Sequence, residues 1–480
     1  MILLDPRAAE SARPAHVLLV NSLSAWMTAF MTTGINIALP SIQTEFRLSA
    51  VALGWLPLGY VLASAVFLLL FGRVGDRIGR RLLFLLGMAL FALSSVGLVL
   101  AGSYVALVVF RVTQGLGSAM IFSTSMAMVT LAYPGAGRGR AMGIAVAAAY
   151  VGMTTGPVVG GVIVHHIGWR NLFLVIAGIA FLNVVLDLWL LRRAEWKARV
   201  SEGFDWIGST IWAVGLSLLL IGLSWLPLVR GLVLAVAGVG GLTLFGWWEW
   251  KTESPIMVLR LFRHNRLFMF SNLTALISYA SIWGYTYLMS LYLQFIKGLD
   301  AQTAGVVLIV GVALQCLVAP AAGRLSDRLD PRWVASFGMA LCTLALLLLA
   351  FLGAGTPYWF VVLALCLLGA GYGFFSPPNQ LAIMGSVDRR YVGFASANMS
   401  TMRMIGMAVS IAFATLIITS IVGPHDIEPA DYPRLLTAIR VTFVVLTGLS
   451  VLAVAASLAR GAARQLDRAG ERAGEDGASA

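Results

Sequence analysis

The chain has 480 residues, 59% hydrophobic and 11% charged, with a mean hydropathy of +0.89. A soluble protein cannot hide that much apolar surface, so this is a polytopic membrane protein. The formal net charge of +12 does not indicate nucleic acid, because the basic residues sit in short segments on alternate sides of apolar runs.

Residues 1–14 are polar and include Arg7 and Arg13. Fourteen apolar runs follow, at about 17–39, 51–71, 82–102, 104–131, 141–165, 170–191, 205–226, 230–248, 267–295, 302–322, 333–353, 357–384, 393–422 and 435–459. Each reaches or nearly reaches the roughly 20 residues of a helical span. The first is long enough to cross a bilayer and carries no cleavage signature. With the N-terminus inside, the outer segments hold only Arg47, Arg170, Arg230, Lys297, Arg434 and Arg440 of the 33 Lys and Arg. Two more, Arg111 and Arg403, fall inside spans, and the rest lie on the inner side. This bias places both termini in the cytoplasm and predicts an even number of spans.

Between spans 2 and 3 lies Gly72-Arg73-Val74-Gly75-Asp76-Arg77-Ile78-Gly79-Arg80-Arg81. It reads as a short cationic loop whose glycines let two helix ends approach, with Asp76 among the cations. Gly323-Arg324-Leu325-Ser326-Asp327-Arg328 repeats the spacing about half a chain later. An internal repeat of this length predicts two similar helical bundles. The expected domains are residues 1–199, a six-helix bundle; 200–260, a two-helix insertion (spans 7 and 8); 261–459, a second six-helix bundle; and 460–480, a disordered cytoplasmic tail. The linker 191–199 reads as an interfacial amphipathic segment with Trp196 at headgroup level.

Span 4 contains Arg111-Val112-Thr113-Gln114-Gly115 and span 5 contains Gly152-Met153-Thr154-Thr155-Gly156-Pro157-Val158-Val159-Gly160-Gly161. Gly152, Gly156 and Gly160 share one helical face that suits close backbone packing, and Pro157 permits a kink. The loop, the span 4 motif, the span 5 motif and the 6+2+6 layout resemble the fourteen-span drug:proton antiporter branch of the major facilitator superfamily. The stretches 169–173, 204–208, 292–294 and 385–387 resemble it too. The resemblance implies alternating access, in which two bundles rock about a central cavity. It implies that Gly72, Asp76, Arg77, Arg80, Arg81, Gly323, Asp327 and Arg328 form gating loops. It further implies that Arg111 assists coupling and that span 5 forms a bundle interface.

One position departs from that branch, which usually has an acid in span 1. Alignment on Asn36-Ile37-Ala38-Leu39-Pro40 puts Met31 there. Among the carboxylates only Asp187 lies clearly within a run, about 7 Å from the inner face at 1.5 Å per residue. It either serves as a coupling charge, snorkels to the inner face or pairs with the basic linker 191–199. Arg111 and Arg403 therefore have no obvious acidic partners. Arg403 either bonds to Ser400 or Asn398 or gives the cavity a positive character that favours anionic, zwitterionic or neutral amphiphiles.

The candidate cavity residues are Asn21, Thr28, Thr32 and Asn36 in span 1, Gln114 in span 4, Tyr279, Trp283 and Tyr287 in span 9, and Tyr372 and Asn379 in span 12. The span 9 residues recur at three- and four-residue steps on one face, which serves either a substrate or packing. His165 and His166 are adjacent, point about 100° apart and make a poor metal site. Cys316, Cys342 and Cys366 all lie in apolar runs, so no disulfide is expected. No hydrolase elbow, zinc-protease motif or phosphate-binding loop occurs, which argues against an enzyme or an ATP-driven pump.

The expectation is a secondary transporter in the inner cell membrane that exports small amphipathic molecules. It is monomeric, has no cofactor and no nucleic-acid partner, and uses the transmembrane proton gradient. The alternatives are a transporter of lipids or anionic amphiphiles, an uncoupled uniporter and, more remotely, a membrane-embedded enzyme.

Overall fold

A computed structural model describes residues 13–133, 137–192, 194, 196, 205–226, 228–252, 255–387, 392–423 and 425–460. Fourteen helices among them are long and apolar enough to cross a membrane. In order they are Pro14–Phe46, Val51–Ile78, Arg80–Leu100, Tyr104–Ala132, Arg140–Ile167, Trp169–Leu190, Trp206–Ser224, Val229–Lys251, Arg266–Ile296, Ala301–Ser326, Pro331–Leu349, Tyr358–Gly385, Phe394–Val422 and Pro429–Ala459. These are spans 1 to 14. The all-α architecture read from the sequence is the one observed.

Polar residues between the apolar runs start the helices. Ser49, Ser103, Asp205, Asn265, Asp300 and Asp330 each cap a span by accepting a bond from a backbone N–H in its first turn. Gly79 turns the chain between spans 2 and 3 at φ 116°, a conformation that disfavours side chains.

Spans 1–6 pack among themselves, as do spans 9–14, and the two groups meet chiefly through span 5 on span 10 and span 2 on span 13. Spans 7 and 8 form a hairpin in which the glycines let the backbones touch. A Cβ on Gly222 would lie 2.3 Å from Ala235 N, and one on Gly238 would lie 2.3 Å from Leu219 N. Span 7 packs against spans 2 and 13, one from each bundle. Trp212 pins it by donating to the Val66 carbonyl at 3.1 Å.

Several expectations are corrected. Residues 72–78 are not a loop but the last turns of span 2, and 323–328 likewise continue a helix that runs from Ala301 to Arg328. A Cβ on Gly75 would lie 3.1 Å from Thr124 of span 4 and 3.2 Å from Leu83 of span 3, while one on Gly72 or Gly323 would meet nothing within 4 Å. Span 9 is not continuous. Its α-helix ends at Ile282 and resumes at Tyr285, and Tyr292–Ile296 form a π turn. The break has a cause across the bundle: Gly284 N–H donates to Ser410 Oγ of span 13 at 2.8 Å. Trp196 does not lie on the protein surface as an interfacial anchor would; it is buried among apolar side chains, and its carbonyl accepts from Arg80 N–H at 3.0 Å. Arg460, assigned to the tail, is buried, bonding the Asn379 side chain at 3.1 Å and the Pro331 carbonyl at 2.7 Å. The rest of the tail, 461–480, and most of the 191–199 linker lie outside the described residues, as does the Asp327 side chain.

Candidate transport pathway

On the side read as outer, the bundles are tied together. Ser290 Oγ donates to the Asn36 carbonyl at 2.6 Å, Gln294 to the Ile37 carbonyl at 3.3 Å, and Gln43 to the Ile427 carbonyl at 3.3 Å. A short bridge joins Ser49 to Asp426, and His165 Nδ1 lies 3.7 Å from Asp300 Oδ1. The Asp300 carboxyl is held below the usual carboxylate range, mainly by the Thr303 backbone N–H and then by the Thr303 hydroxyl.

Span 5 serves two interfaces with two faces. Cβ atoms on Gly152 and Gly156 would fall 2.2 Å from Trp26 O and 2.1 Å from Thr33 Oγ1. Gly160 lies by Gly34, so this glycine face packs on span 1 within its own bundle and not between bundles. Pro157 and Gly161 make the contact between bundles. A Cβ on Gly161 would lie 2.6 Å from Ala301 O, and one on Gly305 would lie 2.1 Å from Pro157 O. Pro157 cannot donate to the carbonyl of Met153 four residues back, and Thr33 Oγ1 donates to that carbonyl instead at 3.2 Å.

Inside the outer seal is a cavity of about 10 Å³, the lower limit for one water. Thr32, Asn36, Tyr60, Arg111, Trp283 and Tyr287 line it, together with Pro57, Val61 and Ile411. The structure thus brings together four of the ten cavity residues named from sequence: Thr32, Asn36, Trp283 and Tyr287. Tyr279 packs on Tyr372 with ring centroids 5.7 Å apart and on Trp283 at 6.4 Å. Asn21 and Thr28 bond back to the Val17 and Ser24 carbonyls of their own helix. Asn379 joins Ser271 and Arg460 at the far end of span 12.

Arg111 is 1% exposed and has no acidic partner among the described residues. Its Nε donates to the Leu56 carbonyl at 2.9 Å and its Nη1 to Gln114 Oε1 at 2.6 Å. Its guanidinium lies 4.7 Å from the Tyr60 ring centre. Gln114 completes the chain by donating to Ser95 Oγ at 2.8 Å, so it supports Arg111 rather than facing the cavity. Tyr60 donates to Ser118 Oγ at 2.7 Å. Sequence reading passed over Tyr60, although a tyrosine inside an apolar run is the signal that flags such a residue.

Charges at the inner end are paired locally. Asp76 accepts from Arg80 at 2.7 Å, and Asp187, fully buried, pairs with Arg81 at 3.0 Å. Asp187 therefore ties span 6 to span 3. Arg77 and Arg328 are half-buried and exposed, respectively, at the ends of their helices. Arg73 donates to the Pro255 carbonyl of the segment after span 8. That segment is also held by Glu249, whose buried carboxylate accepts from the Ile256 and Met257 N–H groups at 3.2 and 2.7 Å. Trp248 donates to Asp205 at 2.9 Å and closes the hairpin at its base. The pairing of Asp76 with a neighbouring cation was legible in the sequence, whereas the partners of Asp187, Arg73, Glu249 and Trp248 were not.

Arg403 is half-buried on span 13 and reaches across to the other bundle, 5.7 Å from the Phe122 ring centre. Asn398 is not its partner, since that side chain donates to Asn272 Oδ1 at 2.8 Å.

A family model described as "Major Facilitator Superfamily" matches residues 22–411 and 271–477. The chain is 28% identical over 397 residues to the riboflavin transporter RibZ of Clostridioides difficile (strain 630), covering 83% of this chain and 86% of that one. It is 31% identical over 402 residues to the multidrug resistance protein Stp of Mycobacterium tuberculosis (strain CDC 1551 / Oshkosh), covering 82% and 74%. In fold it is similar to a bacterial homologue of the human lysosomal transporter Spinster in an inward-facing, unoccupied conformation. The TM-score is 0.64 at 18% identity, over 94% of this chain and 97% of that one.

Proposed function

The chain belongs to the Major Facilitator Superfamily, and from that premise we propose that it exports amphipathic small molecules by alternating access, driven by the proton gradient. The observation that carries this reading is the one-sided seal. The bonds that join Asn36 to Ser290, Ile37 to Gln294 and Gln43 to Ile427 all cluster at the outer ends of the spans. Such a seal must break and re-form if a solute is to leave outward. The aromatic and polar lining of the closed pathway suits an amphipathic solute, and the relative named as a multidrug resistance protein supports export.

One observation favours a second reading, an uncoupled uniporter or a mover of lipids or anionic amphiphiles. Met31 is fully buried where the branch usually has an acid. The buried span carboxylates among the described residues, Asp187, Glu249 and Asp431, all lie near span ends. Transport into inverted vesicles with an acidic lumen separates the two readings. Export coupled to protons predicts accumulation of an amphipathic dye that collapses when the gradient is dissipated. Accumulation only to equilibrium, unaffected by the gradient, supports the uniporter.

A further inference from the structure

We infer that Arg403 is the charge-recognition residue of the pathway, and that the preferred substrates join a flat aromatic body to a carboxylate or similar anionic group. This deepens the transport reading above and rests on it. Arg403 makes no ion pair among the described residues, and its Nε is buried without a hydrogen-bond partner. An arginine inside a span costs about 2.5–3.5 kcal/mol on insertion scales unless it meets water, protein or an anion. A buried donor left unmade adds to that cost. Such a group persists where a ligand satisfies it.

The surroundings of Arg403 are aromatic and come from both bundles. Phe122 of span 4 lies under the guanidinium, and Tyr60, Tyr150 and Tyr372 of spans 2, 5 and 12 are within its electrostatic reach. The Tyr279–Tyr372 ring pair joins spans 9 and 12 beside it. A second intramembrane guanidinium, Arg111, lies over the opposing Tyr60 ring. The two cations have no buried acid between them among the described residues, so the potential along the pathway is positive. Aromatic faces stack on a planar solute, whereas the guanidinium fork selects an oxyanion. A cationic solute finds the faces but is repelled by two fixed charges.

The test uses the purified full-length protein and three probes with one fluorophore: dansylglycine (anionic), its methyl ester (neutral) and dansylcadaverine (cationic). Dansylglycine should bind at least tenfold more tightly than either of the others. Arg403→Gln should bring dansylglycine to within about twofold of the ester and leave the ester unchanged. Arg403→Lys, which keeps the charge but not the fork, should recover part of the preference. Equal binding of the three probes, tighter binding of the cation, no binding at all, or a preference unaltered in Arg403→Gln would overturn the inference. If Arg403→Gln is not monodisperse, the wild-type ratio of anion to ester decides alone. Flux of dansylglycine into proteoliposomes keeps the two readings apart. Selective binding without flux refutes transport and leaves the anion site standing, whereas flux of all three at equal rates refutes the anion site and leaves transport standing.

Discussion

Gly305→Ala is the sharpest perturbation of the bundle interface. The new Cβ would lie 2.1 Å from the Pro157 carbonyl oxygen, about 1.3 Å short of ordinary contact at 3.4 Å. Both partners are backbone on rigid helices, so no side chain can turn aside. Relief requires span 10 to withdraw from span 5, and these spans belong to different bundles. Overpacking of this kind costs about 1–3 kcal/mol. The cost falls on the outer-closed state alone, so the ratio of closed to open should drop roughly 5- to 150-fold. Spin labels on cysteines replacing Thr44 and Ala430, both exposed on outer segments of opposite bundles, would report it in a background lacking the native cysteines. Gly305→Ala should shift the distance distribution to longer values. Gly143→Ala, where a Cβ meets nothing within 4 Å, should not. Identical distributions for parent and Gly305→Ala would refute the reasoning.

Thr33→Val removes the donor to the Met153 carbonyl that Pro157 leaves free, and should cost about 1 kcal/mol, seen as a lower midpoint in thermal unfolding of the detergent-solubilised protein. An unchanged midpoint would mean that carbonyl is satisfied otherwise. Arg111→Lys keeps a charge but cannot reach the Leu56 carbonyl and Gln114 Oε1 together while covering Tyr60; it should destabilise by about 1–3 kcal/mol and slow flux, and wild-type flux would contradict that role. Glu249→Gln should free the 255–257 segment and raise its proteolysis, because one amide oxygen cannot accept both the Ile256 and Met257 N–H groups as well; limited digestion at wild-type rates would count against the clamp. The His425 pKa is raised above 6.5, first by the Asp426 carbonyl and then by the Asp431 carboxylate. A raised pKa means the stabilisation is full below 6.5 and is lost as external pH rises through the folded value. The thermal unfolding midpoint should therefore fall slightly as pH climbs from about 6.5, and His425→Gln should remove that dependence.

What was legible in the sequence follows from the range of the interactions. Hydropathy is a property of neighbouring residues, so the fourteen spans could be read directly. The break in span 9 could not, because it depends on Ser410, more than a hundred residues away, capturing the Gly284 N–H. The same limit hid the partners of Arg111, Asp187 and Glu249. The glycine face of span 5 was legible as a packing face, yet its partner was not, since spacing does not say whether span 1 or span 10 lies opposite. The motif at 72–81 looked like a loop because glycine and arginine crowd it, but the helix persists to Ile78 and only Gly79 adopts a positive φ. For Asn21 and Thr28, a polar residue in a span signalled the cavity equally with self-bonding to its own helix, and the structure shows the latter.

The central claim is that the outer seal opens in every transport cycle. Cysteines replacing Asn36 and Ser290, where the Ser290 hydroxyl meets the Asn36 backbone carbonyl at 2.6 Å, would allow that seal to be locked by a reducible bis-methanethiosulfonate cross-linker in a background without Cys316, Cys342 and Cys366. Alternating access predicts that the cross-linked protein in proteoliposomes loses dye flux and regains it on reduction. Full flux through the cross-linked protein would contradict the account.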